Sequence, residues 1–123
     1  MDKTSSEIVV ELVNNFTEFM FELDPKWKKA YYRFNIDENH YGSSSSYEDS
    51  ENIEIIGTIK NSEFFRKMNK ISEKLFLTLK EKKGVFLLTV DSSLSYKIDF
   101  DWDNQNRWEI SKIDGKSGRP EDG

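Results

Sequence analysis

VFLLTV (residues 85–90), LSYKIDFDW (94–102) and RWEISKI (107–113) follow one another with only DSS and DNQN between them. From 94 to 102 the residues alternate strictly: Leu94, Tyr96, Ile98, Phe100 and Trp102 take one side, Ser95, Lys97, Asp99 and Asp101 the other. A strand has a side-chain period of two, so this stretch predicts a half-buried strand between two turns, the middle member of an antiparallel meander. Its polar side is acidic.

Upstream of the meander the apolar spacing changes to three and four. Phe64, Phe65, Met68, Ile71, Leu75, Phe76 and Leu79 fall on one helical face. The spacing predicts a helix over 62–83, capped by Asn61 or Ser62, with Lys80, Lys82 and Lys83 complementing the negative end of its dipole and Gly84 at a left-handed C-cap. A second such stripe, Ile8, Val9, Leu12, Val13, Phe16, Phe19, Met20 and Leu23, predicts a helix over 4–23. Thr4-Ser5-Ser6-Glu7 has the form of a capping box at its start, and Asp24-Pro25 stops it. Residues 27–36 return to period two, with Ala30, Tyr32, Phe34 and Ile36 opposite Tyr31, Arg33 and Asn35. Asp37-Glu38-Asn39 is turn chemistry, after which His40 to Tyr47 form a partner strand, although the Gly-Ser run within it suits an edge position or a mobile loop nearly as well. Residues 48–60 read as a connection with at most one short extended segment. The expected architecture is α+β, two helices packed on one antiparallel sheet of about five strands in the order α-β-β-α-β-β-β. The tail 114–123 has little to bury and is expected to be loosely held.

At 123 residues the chain is read as one domain, 1–123, with nine Phe, five Tyr and three Trp to fill its core despite a charged fraction of 33%. It has no cysteine, which excludes disulfides, thiol nucleophiles and cysteine metal sites. No apolar run reaches the length of a membrane span and the first residues are polar, so neither signal peptide nor anchor is expected, and the expected location is cytoplasmic. The net charge of −5 is unevenly spread. Glu7, Glu11, Glu18, Glu22 and Asp24 precede Pro25 without a Lys or Arg after Thr4, and Asp37, Glu38, Glu48, Asp49, Glu51 and Glu54 form a second block free of bases. Such surfaces repel polyanions and argue against direct nucleic-acid binding.

No residue set suggests catalysis, a cofactor or a metal. Gly115-Lys116-Ser117 lacks the earlier glycine of a phosphate-binding loop and leads into no helix. Asp99, Asp101 and Asp103 have oxygen ligands suited to a hard cation, but the plainer reading is the wet face of a sheet with Lys97 as partner. His40, the single histidine, has no companion ligand or nucleophile nearby. The acids are better candidates for partner binding. Glu7, Glu11, Glu18 and Glu22 form a like-charged stripe that either solvates the first helix or attracts a basic partner. The loop acids Glu48, Asp49, Glu51 and Glu54 and the strand acids Asp99, Asp101 and Asp103, with Tyr31 as an aromatic neighbour, rank above that stripe, because binding groups favour loops held by a rigid sheet.

WKKAYYRF (27–34), FFRKM (64–68), VFLLTV, YKIDFDW (96–102), RWEI (107–110) and the Gly- and Pro-bearing tail, in this order over roughly residues 5–121, resemble the YezG-like family of bacterial immunity proteins. The resemblance implies an α+β domain that binds and neutralises one cognate toxin, often a nuclease, in the cytosol. A nuclease carries basic groups around its site, so an acidic partner would be steered onto it. The alternative is a non-catalytic protein-interaction module with no toxin partner.

Overall fold

A computed structural model describes residues 2–38 and 40–121. The elements are α1 (Lys3–Leu23), β1 (Lys29–Asp37), β2 (His40–Glu48), β3 (Ile53–Ile55), α2 (Ser62–Leu79), β4 (Lys83–Asp91) and β5 (Tyr96–Asp101), then a short 3-10 turn at Ile113–Gly115. The fold is α+β, with the five strands in one antiparallel sheet of order β3-β2-β1-β4-β5. β1 is central: Tyr32 lies opposite Ser45 on one side and Leu88 on the other.

Both helices cover one face. Phe16 of α1 meets Tyr32 edge-on at 6.2 Å between ring centres, and Phe76 of α2 lies 5.7 Å from Phe34 and 6.2 Å from Phe86. The Tyr32 hydroxyl donates to Asn69 Oδ1 at 2.6 Å, tying the central strand to α2. The two helices run antiparallel, with Glu11 paired to Lys74 at 3.2 Å and Phe19 stacked on Phe64 at 3.9 Å.

Several local expectations are corrected. Asp2, not Thr4, caps α1, its carboxylate accepting from the Ser5 N–H at 2.8 Å. Helix α2 ends at Leu79, with Lys80 itself in the left-handed C-cap position. Gly84 therefore caps nothing. It lies in β4, where a Cβ would stand 2.7 Å from Trp102 Cε3, so its missing side chain leaves room for the indole. The Gly-Ser run is no loop but part of β2, paired with β1 throughout; β3 covers its other side only from Ser45 onward, so Gly42 to Ser44 do lie at an edge. The full β1 ladder outweighs the poor strand propensity of serine, and Ser45 Oγ donates to the Tyr31 carbonyl at 2.6 Å. Of the predicted turn, Glu38 has φ 56° and Asn39 lies outside the described residues. Leu94 is not on a strand but in the β4–β5 turn, at φ 73° and 60% exposed.

The largest difference concerns RWEISKI. These residues do not extend the sheet; the fifth strand is β3, so the order is α-β-β-β-α-β-β. Residues 104–121 instead form a strap across the face opposite the helices. Trp108, 7% exposed, packs with Tyr31, Val85 and Leu87, and Ile110 joins them. The alternation was real, but period two reports which side a residue faces, not whether its backbone joins a ladder. The tail is correspondingly tied down as far as Glu121: Ser46 Oγ donates to the Gly118 carbonyl at 2.7 Å, Arg119 pairs with Glu48 at 3.0 Å, and the Glu121 N–H reaches the Glu109 carbonyl at 3.0 Å.

Candidate partner-binding surface

Three of the acids singled out in the sequence, Glu48, Asp49 and Asp101, serve the fold. Asp49 accepts the N–H groups of Glu51 and Asn52 at 2.8 and 2.9 Å, closing the β2–β3 turn. Asp101 does the same for Asp103 and Asn104, both at 2.9 Å, and pairs with Arg107 at 3.2 Å. Those backbone donors come first, and Arg107 after them, in holding the Asp101 carboxyl below the usual carboxylate range. An Asp followed two or three residues later by Ser, Asn or Asp is the signature of such a turn, and it was present at both positions. Glu48 accepts from Arg119 at 3.0 Å and from the Tyr31 hydroxyl at 2.8 Å. Burial works to raise this carboxyl, but those two hydrogen bonds, together with the charges of Arg119 and Lys29, leave it lowered.

The expected wet face of the sheet is wet only along β5, where the side chains of Lys97 and Asp99 are exposed; over β1 and β4 the strap covers it. Tyr31 is 7% exposed beneath the strap, and burial, followed by its hydrogen bond to Glu48 and then that carboxylate's charge, pushes its hydroxyl up to about 12. It offers nothing to a partner and is withdrawn from the candidate set. Arg33, on the same face, fastens the strap: its Nε donates to the Arg107 carbonyl at 2.7 Å and its Nη2 to the Gln105 carbonyl.

Nor do the three acidic clusters form one surface. The ladder puts Glu48 level with Lys29 and Asp91, at one end of the sheet near its β3 edge, and Asp101 level with Val85 and Asn35, at the other end on the β5 edge. Asp99 pairs with Lys97 at 3.4 Å, and Asp103 is exposed. The helix acids lie on the opposite side of the molecule. Glu11 is neutralised by Lys74, while Glu18 and Glu22 line a groove of about 440 Å³ that Lys60 and Lys67 share. The stripe that looked uncompensated along α1 is thus flanked by bases of α2.

The structure does gather one group of acids from separate parts of the chain. Tyr47, on the helix side of β2, stands opposite Glu54 of β3. Its hydroxyl is raised, first by burial and then by the charges of Asp24, Glu54 and Asp49. This corner joins the C-terminal end of α1, where the helix dipole is negative, to the β2–β3 hairpin, and Glu51 and Glu54 stand exposed there. Asp24 and Tyr47 were not candidates in the sequence. Asp24 read as a helix stop, and nothing local places it beside residues 47–54.

Among the described residues no group of three or more His, Asp or Glu side chains is placed to hold a metal ion, and no helix is long and apolar enough to cross a membrane. No family model matches the chain, and no curated protein matches it.

Proposed function

We propose that the protein is an immunity protein of the YezG-like kind, which binds a cognate basic toxin domain of nuclease type in the cytoplasm and neutralises it without chemistry of its own. The observation that carries this reading is the acidic corner of Asp24, Asp49 and Glu54 around Tyr47, with Glu51 exposed in the adjoining turn, on a hairpin paired into the sheet. Exposed carboxylates of one sign attract a basic surface and raise the association rate, and a partly buried tyrosine beside them supplies contact area with a polar tip. The sequence resemblance supplies the class of partner.

Glu51 and Glu54 are the residues to test, because Glu48, Asp49 and Asp101 are committed to the fold. Glu51→Lys with Glu54→Lys should slow association with the protein encoded by the adjacent reading frame and weaken its salt dependence, with an unchanged melting curve. If the unaltered chain neither binds that protein nor protects cells that express it, the immunity reading fails.

A further inference from the structure

The two edges of the sheet are unlike. On one side β3 is three residues long and carries Glu54, which suits a terminated edge, and beyond it Tyr41 to Ser44 of β2 are open but carry no charge. β5 is six residues long, and RWEISKI, which could have covered it, crosses the opposite face instead. The Asp91 N–H donates to the Ser95 carbonyl at 3.0 Å, which makes 91 and 95 a hydrogen-bonded pair. With alternation along the ladder, Lys97, Asp99 and Asp101 then direct their backbone groups at β4, while Tyr96, Ile98 and Phe100 direct theirs outward. Among the described residues these outward groups have no backbone partner. The side chains along the same edge are apolar and incompletely covered: Tyr96 is 48% exposed, Ile98 and Phe100 are half-buried, and Leu94 in the adjoining turn is 60% exposed.

We propose that this edge pairs with β5 of a second copy of the chain, joining two sheets into one across a two-fold axis through Ile98. The charges select both occupant and register. An axis through Ile98 sets Lys97 opposite the partner subunit's Asp99, and Asp99 opposite the partner subunit's Lys97. Tyr96 then exchanges N–H and carbonyl bonds with the partner subunit's Phe100, and Ile98 with the partner subunit's Ile98. An axis through Lys97 would oppose lysine to lysine, one through Asp99 aspartate to aspartate, and one through Phe100 would set Asp99 against the partner subunit's Asp101. Like charges directly opposite one another destabilise a strand pair, whereas opposite charges and aromatic pairs stabilise it. The Ile98 register alone among these has opposite charges and no like pair. It also brings Leu94 alongside the partner subunit's Trp102. Charges at sheet edges commonly deter pairing; here their alternation in sign, Lys97 then Asp99, makes the edge complementary to itself.

The test is sedimentation of the isolated chain from micromolar to submillimolar concentration. The unaltered protein should rise from its 14.5 kDa chain mass towards twice that value. Lys97→Asp and Asp99→Lys, each made alone, oppose like charges at two symmetric places and should weaken the dimer roughly tenfold or more, and the two together should restore it. Both side chains are exposed, so neither change threatens the core. Ile98→Pro removes an outward N–H without touching the ladder to β4 and should give a monomer of unchanged circular dichroism. Should that variant unfold, the charge swap decides alone. A chain that stays at its monomer mass, or a dimer indifferent to both single charge changes, overturns the proposal. The acidic corner lies at the other edge of the sheet, so the two readings stand or fall separately.

Discussion

Asp101 has its carboxylate on two backbone N–H groups and a guanidinium, and this makes it an acid-sensitive fastening of the strap. The folded carboxyl ionises at a lower pH than in the unfolded chain, so it stabilises the fold above the ordinary carboxylate value of about 3.9 and ceases to do so as pH falls through the lowered one. Urea melts should therefore lose stability below about pH 4 more gently in Asp101→Asn than in the unaltered chain. Gly84 gives a steric prediction. A methyl group there meets the Trp102 ring at 2.7 Å, so Gly84→Ala should cost about 1–3 kcal/mol by urea melting, with a change in tryptophan fluorescence as the indole moves. Its neighbours in sequence suggested a helix cap, because the ring that requires the glycine, that of Trp102, lies 18 residues further on.

Elements that obey a local period were legible, and those defined by what they lie against were not. The stripe Phe64, Phe65, Met68, Ile71, Leu75 and Phe76 is buried as its spacing requires, and Ala30, Tyr32 and Phe34 all face the helices. β2 reads as a partner strand only weakly because Ser43 to Ser46 have no apolar signal; the burial of Ser45 and Ser46 comes from strands on both sides and, for Ser46, from Gly118 of the strap. Residues 107–113 misled in the other direction, since Trp108 and Ile110 alternate like a strand while packing on a sheet face. Trp108→Ala removes the centre of that contact and should cost about 3 kcal/mol or more. Hydrogen exchange should then show lost protection at the Glu121 amide while β4 stays protected, because Arg33 and Arg119 no longer hold a packed segment.

For the whole molecule, the α+β class and the surplus of acid could be read from the chain, but which acids share a surface could not. Asp24 precedes Tyr47 by two strands' worth of chain, and only the paired sheet brings its charge to that hydroxyl. The same arrangement scattered the sequence candidates to opposite ends of the sheet, so charge reversal at Asp103 should leave partner association almost unchanged where reversal at Glu51 and Glu54 slows it. Stopped-flow association at two salt concentrations separates these cases, since exposed charges act on rate and are screened by salt.

The central place of β1 bears on how the protein is made. One flank of β1 is filled at once by β2, the next strand along the chain, but the other waits for β4, and α2 is synthesised in the interval. At about 5–20 residues per second, a nascent chain spends some seconds with the β4 side of β1 unpaired and Tyr32 and Phe34 short of their cover. A ribosome paused between residues 60 and 83 would thus hold a sticky open edge, and the finished domain forms only when its C-terminal third arrives to close it.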